Sequence, residues 1–163
     1  VGPATMRVLG DALDRTKKLP NVDPKRIGVY GHSRGAMAAS LLAVRREDLR
    51  ASVLAAGIYD FLKAFCEAPD AGIRDNMALE TGMRDAAIRV RSSILEMDKL
   101  RAPILLLHGE KDVNVSVGQA LVLRDRLTQL GKPFEVHIYP DLDHAFNAPH
   151  VTDTIVAFLK KNL

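Results

Sequence analysis

Short apolar runs alternate along the chain with longer segments whose apolar residues recur at helical spacing. The apolar runs have the length of strands buried on both faces of a sheet, and they cover residues 26–30, 51–56, 104–107 and 134–139. The helical spacing predicts helices at residues 4–19, 33–45, 116–130 and 152–163. Since helical material follows every strand, the pattern predicts one α/β domain, residues 1–163, with a parallel sheet, flanking helices and right-handed crossovers.

Turn residues set several of the predicted boundaries. Pro20 ends the first helix, whose buried face should carry Leu9, Ala12, Leu13 and Thr16. Ser116 should cap the third predicted helix and Gly131 should close it.

Residues 60–99 do not fit the regular alternation. They are charged, weakly periodic and interrupted by Pro69, Gly72 and Gly82. We expect loops and short helices here, forming a variable excursion that roofs the site as a lid. Its apolar residues could line an acyl pocket: Phe61, Leu62, Phe65, Met77, Leu79 and Met83.

Composition narrows the possible partners and compartment. With 47% hydrophobic and 26% charged residues, the chain has globular proportions. The net charge is only +3, the basic and acidic residues are interspersed, and the sequence has no Trp. These features argue against a nucleic-acid-binding surface. No apolar run reaches the ~20 residues of a membrane span, and the N-terminal stretch lacks the apolar core of a signal peptide. We therefore expect a cytoplasmic protein with no membrane partner.

Cys66 is the only cysteine, so no intramolecular disulfide can form. We expect it to be a small buried hydrophobic residue without a catalytic role. No Cys/His cluster has the spacing of a zinc site.

The segment from Gly31 to Gly35 reads Gly-His-Ser-Arg-Gly and joins the first predicted strand to its helix. In this G-x-S-x-G context a sharp strand-to-helix turn exposes the Ser33 hydroxyl. We expect glycine at both ends because side chains there would collide with the neighbouring strand and helix. The first N–H groups of the helix would face a developing negative charge.

A serine hydroxyl needs a base to become a nucleophile. His144 and His150 lie between the last strand and the last helix, at the same sheet edge as Ser33, and His144 is the first choice with His150 in reserve. His32 is adjacent to Ser33, so its side chain should point away. The remaining histidines, at the end of one strand and inside another, are His108 and His137.

An acidic residue must orient the base. Asp112 follows the third predicted strand and is the first choice, whereas Asp60 follows the second strand and is the alternative. The chain order Ser33, Asp112, His144 is the order expected of an α/β-hydrolase.

Three segments together resemble one family. Residues 23–35, 104–112 and 139–146 are similar to the nucleophile, acid and histidine segments of α/β-hydrolases of the prolyl-oligopeptidase and acyl-peptide-hydrolase type, including related esterases. The likeness covers nearly the whole chain. It implies a serine hydrolase that cleaves carboxylic esters or short peptides through an acyl-enzyme, with no metal or organic cofactor. Ser33, His144 and Asp112 would form its triad, and the backbone N–H of Arg34 would be an oxyanion donor.

The chain departs from the family pattern before its first predicted strand. The family's hydrolase domain has further N-terminal strands, and a His-Gly-Gly type turn there often provides a second oxyanion donor; no such turn is found here. Strand 26–30 would be central in the full domain, so one of its edges should be unpaired. We expect a second copy of the chain, forming a homodimer, or a complementing N-terminal half to pair with it, unless helix 4–19 covers it. The alternative function is then a weak or inactive half-domain that needs such a partner.

Overall fold

The computed structural model describes residues 1–163, and its strands alternate with helices as predicted. The strands are β1 Gly28–His32, β2 Ala51–Ala55, β3 Ile104–Gly109 and β4 Phe134–Tyr139. The helices are α1 Pro3–Thr16, α2 Arg34–Arg45, α3 Phe61–Glu67, α4 Ala71–Thr81, α5 Asp85–Arg89, α6 Gly118–Gln129 and α7 Pro149–Asn162, together with a 3₁₀ helix Ser93–Lys99.

The four strands form one parallel sheet in the order β1-β2-β3-β4. All residues of β2 and β3 are buried, because helices cover both faces of the sheet. Alternate residues of β3 point to opposite faces. Ile104 and Leu106 pack with α2 and α6, whereas Leu105 and Leu107 pack with α7. The predicted fold class is therefore confirmed.

Helix α1 packs beside α2 along a narrow apolar stripe. Leu9 and Leu13 of α1 pack against Leu42 of α2, as predicted, together with Met6. Ala12 and Thr16 were wrongly placed on this face, because both are exposed. These three partly buried positions recur at intervals of three and four residues, which leaves most of the rest of the helix facing water.

The outer edge of β1 has no partner strand. Tyr30, in the middle of this strand, is 54% exposed. No residue of α1 makes a backbone hydrogen bond to β1, so α1 does not pair with the open edge.

Several predicted boundaries shift for local reasons. Strand β1 begins later than expected because Arg26 N–H closes a turn onto the Asp23 carbonyl. Helix α7 begins earlier because Pro149 occupies its first turn, where a missing N–H costs nothing. Ser116 is not the N-cap of α6, which is Val117; its hydroxyl accepts from the Gly118 N–H instead.

The excursion of residues 60–99 folds into α3, α4, α5 and the 3₁₀ helix. Cys66, on α3, is exposed, so the expectation that it is buried was wrong. It lies near the C-terminal end of a short helix that buries only Phe61 completely. None of the helices combines the length and the hydrophobicity that a transmembrane segment needs.

Candidate functional site

Ser33 lies at the sharp turn between β1 and α2. Its backbone has φ 54° and ψ −120°, a conformation that L-residues rarely adopt and that stores strain. A Cβ on Gly31 would lie 2.1 Å from the Gly35 carbonyl oxygen, so glycine is required there. Gly35 differs from our expectation: a Cβ at this position would meet nothing within 4 Å. Only the first glycine of the motif is therefore needed for this close approach.

The structure brings Ser33, His144 and Asp112 into one hydrogen-bonded line. The Ser33 hydroxyl is 2.9 Å from His144 Nε2, and His144 Nδ1 is 2.7 Å from Asp112 Oδ2. Because a carboxylate oxygen only accepts, the proton of a neutral His144 lies on Nδ1 and leaves Nε2 free to accept from the hydroxyl.

The carboxylate of Asp112 is fully buried and held by four groups. Its Oδ1 accepts from the backbone N–H groups of Asn114 and Val115, both at 2.9 Å. Burial alone would raise the pKa of Asp112, but hydrogen bonds from His108, Val115, His144 and Asn114 outweigh it and hold that pKa well below its usual range. Asp112 therefore stays ionised in a buried place.

The loops that carry the acid and the histidine are locked together. The Lys111 N–H donates to the Leu142 carbonyl at 3.0 Å. A Cβ on Gly109 would lie 2.2 Å from that same carbonyl oxygen, so only glycine allows this approach. Main-chain contacts thus fix the distance between Asp112 and His144.

The reserve candidates lie elsewhere. His150 belongs to α7, and its ring lies 5.4 Å from that of Tyr139. His137 is exposed on β4. Asp60 caps α3, accepting from the Lys63 N–H, so it has a structural role and makes no contact with His144.

Two histidines for which the sequence predicted no role, His32 and His108, lie beside the site. His32 does not simply point away: its Nε2 lies 2.6 Å from the His144 carbonyl oxygen. His108 is fully buried, and its Nε2 lies 3.4 Å from Asp112 Oδ2. The four-residue spacing between His108 and Asp112 across a strand end could have predicted that the two side chains lie close together. The contact between His32 and His144 spans 112 residues, and no local pattern in the sequence indicates it.

A cavity of about 180 Å³ opens beside Ser33. Its wall is mainly apolar and is formed by α2, the loop after β2, α3, α4 and the loop that carries Asp112. The lining residues are Ser33, Arg34, Met37, Ile58, Phe61, Ile73, Asn76, Met77, Glu80 and Val115. Of the six residues expected to line a pocket, Phe61 and Met77 do so. Phe65 is not part of this wall, and the exposed residues Leu62, Leu79 and Met83 were wrongly placed there.

Glu80 is the one acidic side chain of the cavity wall. Its carboxylate pairs with the Arg34 guanidinium and lies 3.7 Å from Arg91 Nε. Burial alone would raise the pKa of Glu80, but its hydrogen bonds, that from Arg34 first among them, outweigh it and lower that pKa. This cluster ties α4 to the first residue after Ser33.

The family model that describes the prolyl oligopeptidase family matches residues 8–163. The chain belongs to this family. One relative with a similar sequence is the uncharacterized peptidase YtmA of Bacillus subtilis. It is 33% identical over 132 residues, which make up 78% of this chain and 51% of YtmA. Another is dipeptidyl-peptidase 5 of Porphyromonas gingivalis, 30% identical over 155 residues, which make up 88% of this chain and 22% of that protein.

Solved structures of α/β-hydrolases share the fold. The dipeptidyl peptidase 4 of Porphyromonas gingivalis superposes with a TM-score of 0.87 at 22% identity, covering 100% of this chain and 23% of that one. The acylaminoacyl peptidase of Pyrococcus horikoshii gives 0.85 at 20% identity, covering 96% of this chain and 27% of that one. The chain thus spans about half or less of the length of these four proteins.

Within the described residues 1–163, no group of three or more His, Cys, Asp or Glu side chains is arranged to hold a metal ion.

Proposed function

We propose that the chain carries the catalytic site of a serine hydrolase that cleaves peptide bonds or carboxylic esters through an acyl-enzyme. The observation that supports this most directly is the line of two hydrogen bonds from the Ser33 hydroxyl through His144 to Asp112. Membership of the prolyl oligopeptidase family points in the same direction.

In the proposed first step, Ser33 Oγ attacks the carbonyl carbon while its proton passes to His144 Nε2. The resulting imidazolium gives this proton to the leaving amine or alcohol, and the acyl group stays on Ser33. Water then attacks the acyl carbon and gives a proton to the same nitrogen; the bond from the acyl carbon to Ser33 Oγ breaks, the proton passes to Oγ, and the acid is released. Asp112 keeps the proton of neutral His144 on Nδ1 and stabilises the imidazolium. Replacing such an aspartate by asparagine costs about 10⁴ in kcat in the classical triad, and we expect a loss of that order for Asp112→Asn.

The backbone N–H of Arg34 is the proposed oxyanion donor. Arg34 is the first residue of α2, so this N–H has no partner within the helix. Loss of one of two donors lowers kcat by about 10²–10³. With Arg34 as the one donor proposed, we expect residues 1–163 to hydrolyse activated esters faster than unactivated amides.

The apolar cavity beside Ser33 is the proposed site for the side chain or acyl group next to the scissile carbonyl. Its wall includes Met37, Phe61 and Met77. Two relatives carry the words peptidase and dipeptidyl-peptidase in their names, which favours short peptides as substrates. Small esters with an apolar acyl group are the second substrate class.

Hydrolysis of two parallel substrate series tests the proposal: p-nitrophenyl esters of increasing acyl length and peptide p-nitroanilides. We expect release of p-nitrophenol from the esters, or of p-nitroaniline from the peptide substrates, that saturates with substrate and is lost in Ser33→Ala. Turnover that persists in Ser33→Ala, or none from any substrate of either series, would contradict the proposal.

A second candidate is a half-domain that becomes active only with a partner, either a second copy or a complementing N-terminal half. The unpaired edge of β1 and the exposure of Tyr30 favour it. Light scattering combined with an ester assay across a range of protein concentrations distinguishes the two. Activity per chain that rises with dimer content supports the second candidate, whereas a monomer with constant activity contradicts it.

A further inference from the structure

His108 occupies an unusual place at the carboxyl end of β3. Its side chain is fully buried, and it follows Leu105, Leu106 and Leu107, which are all buried in the apolar core. It is not part of the line from Ser33 to Asp112, so the proposed proton transfers do not use it. A polar ring at this depth therefore needs another explanation.

The hydrogen bonds of His108 define its tautomer. Its Nε2 lies 2.9 Å from the Val115 carbonyl oxygen, and a carbonyl can only accept, so the proton lies on Nε2. Its Nδ1 is buried with no partner. An unpaired buried acceptor is unfavourable, whereas an apolar side chain would avoid this cost. What the ring provides in exchange is its Nε2–H group, which donates to the Val115 carbonyl in the loop that carries Asp112.

The same nitrogen also lies close to the carboxylate of Asp112. His108 Nε2 lies 3.4 Å from Oδ2, which is the oxygen that faces His144. The other oxygen, Oδ1, is held by the N–H groups of Asn114 and Val115. His108 thus fixes Val115 from its carbonyl side while the N–H of Val115 fixes Asp112, and the turn of residues 112–115 is held at both ends.

We propose that His108 is a positioning residue that acts through Asp112, fixing the direction in which Oδ2 faces His144. The inference rests on the proposed function for its effect on turnover, but the geometry itself can be tested without turnover. His108 makes no hydrogen bond to the Ser33 hydroxyl and is not itself a lining residue of the cavity.

Two amide variants form a matched pair for the test. In H108Q the side-chain amide nitrogen can reach the place of Nε2, whereas in H108N it reaches only the place of Nδ1. We expect H108N to lower kcat by about 10–100-fold, by analogy with the loss seen when the residues that orient metal ligands are removed, with little change in KM. H108Q should keep most of the kcat.

Thermal unfolding of both variants separates positioning from a general loss of folding. Equal losses of kcat in H108N and H108Q, in step with their loss of thermal stability, would overturn the proposal. If H108N does not fold, H108L is the donor-free variant, since leucine fills the site without a polar atom, and the same comparison with H108Q applies.

The Nδ1–H proton of His144 gives a readout that needs no substrate. In protein labelled with ¹⁵N-histidine, we expect this resonance to shift or broaden in H108N and to stay near its wild-type position in H108Q. An unchanged resonance and an unchanged kcat in folded H108N would overturn the proposal. If wild type shows no Ser33-dependent turnover, the proposed function fails, while the His144 resonance still decides whether His108 holds Asp112.

Discussion

The imidazole of His32 reaches the main chain of His144, with 2.6 Å between Nε2 and the carbonyl oxygen. The two rings are 4.9 Å apart, and Phe146 packs edge-on against His32. The residue that precedes the proposed nucleophile therefore holds the loop that carries the proposed base. Ser33 and His144, 111 residues apart in the chain, are linked both by the hydroxyl–imidazole bond and by this second contact.

Removing this contact should slow the reaction without abolishing it. His32→Leu deletes the N–H donor, and a typical net hydrogen bond is worth about 0.5–1.5 kcal/mol. We expect kcat/KM for a p-nitrophenyl ester to fall by up to about tenfold. His32→Gln, which keeps a donor at the place of Nε2, is the control and should fall less. Equal activity in both variants would show that the contact has no role in catalysis.

The two glycines of the elbow should respond differently to alanine. Gly31→Ala places a methyl group on the Gly35 carbonyl, so we expect the free energy of unfolding to fall by about 2–4 kcal/mol. Gly35→Ala meets open space and should be neutral or stabilising by up to about 1 kcal/mol. Urea denaturation measures both. A Gly35→Ala protein as unstable as Gly31→Ala would argue against this geometry.

The ionised carboxylate of Asp112 should make stability depend on acid pH. The pKa of Asp112 in the folded protein is lowered from an ordinary value of 3.8. Its contribution to the free energy of unfolding is therefore fully present above pH 3.8 and is lost as the pH falls through the lowered pKa. We expect the free energy of unfolding of Asp112→Asn to lie below that of wild type at neutral pH, and this gap to narrow below about pH 4.

Denaturation of the two proteins at a series of pH values measures this gap. Asp48 and Glu80, whose pKa values are also lowered, are present in both proteins and cancel in the comparison. A gap that stays constant from neutral to acid pH would contradict the proposed burial of an ionised Asp112.

A larger side chain in the cavity wall should change the enzyme's preference for the length of the acyl group. Ile73 of α4 lines the cavity, so Ile73→Trp should lower kcat/KM for p-nitrophenyl octanoate relative to the acetate, by about tenfold or more. Leu79 lies on the same helix but is 84% exposed and outside the cavity wall. Leu79→Trp is the matched control and should leave the ratio unchanged. Equal ratios in both variants would place the acyl group elsewhere.

Local patterns were enough to predict the sheet. Strand β4 was predicted with its exact limits, since Gly131, with φ 61°, ends the preceding structure and alternation begins at Phe134. The G-x-S-x-G turn was visible because a motif, a strand and a helix agreed at one place. The space around single side chains was not predictable: nothing near Gly35 in sequence shows that the space beside it is open, and nothing near Cys66 shows that α3 leaves it exposed.

Reaction with a fluorophosphonate probe, followed by intact mass and peptide mapping, tests the central claim most directly. The account predicts one adduct, located on Ser33, that forms more slowly in His144→Gln and Asp112→Asn and not at all in Ser33→Ala. An unmodified Ser33 in folded wild-type protein, or labelling of His144→Gln at the wild-type rate, would contradict it.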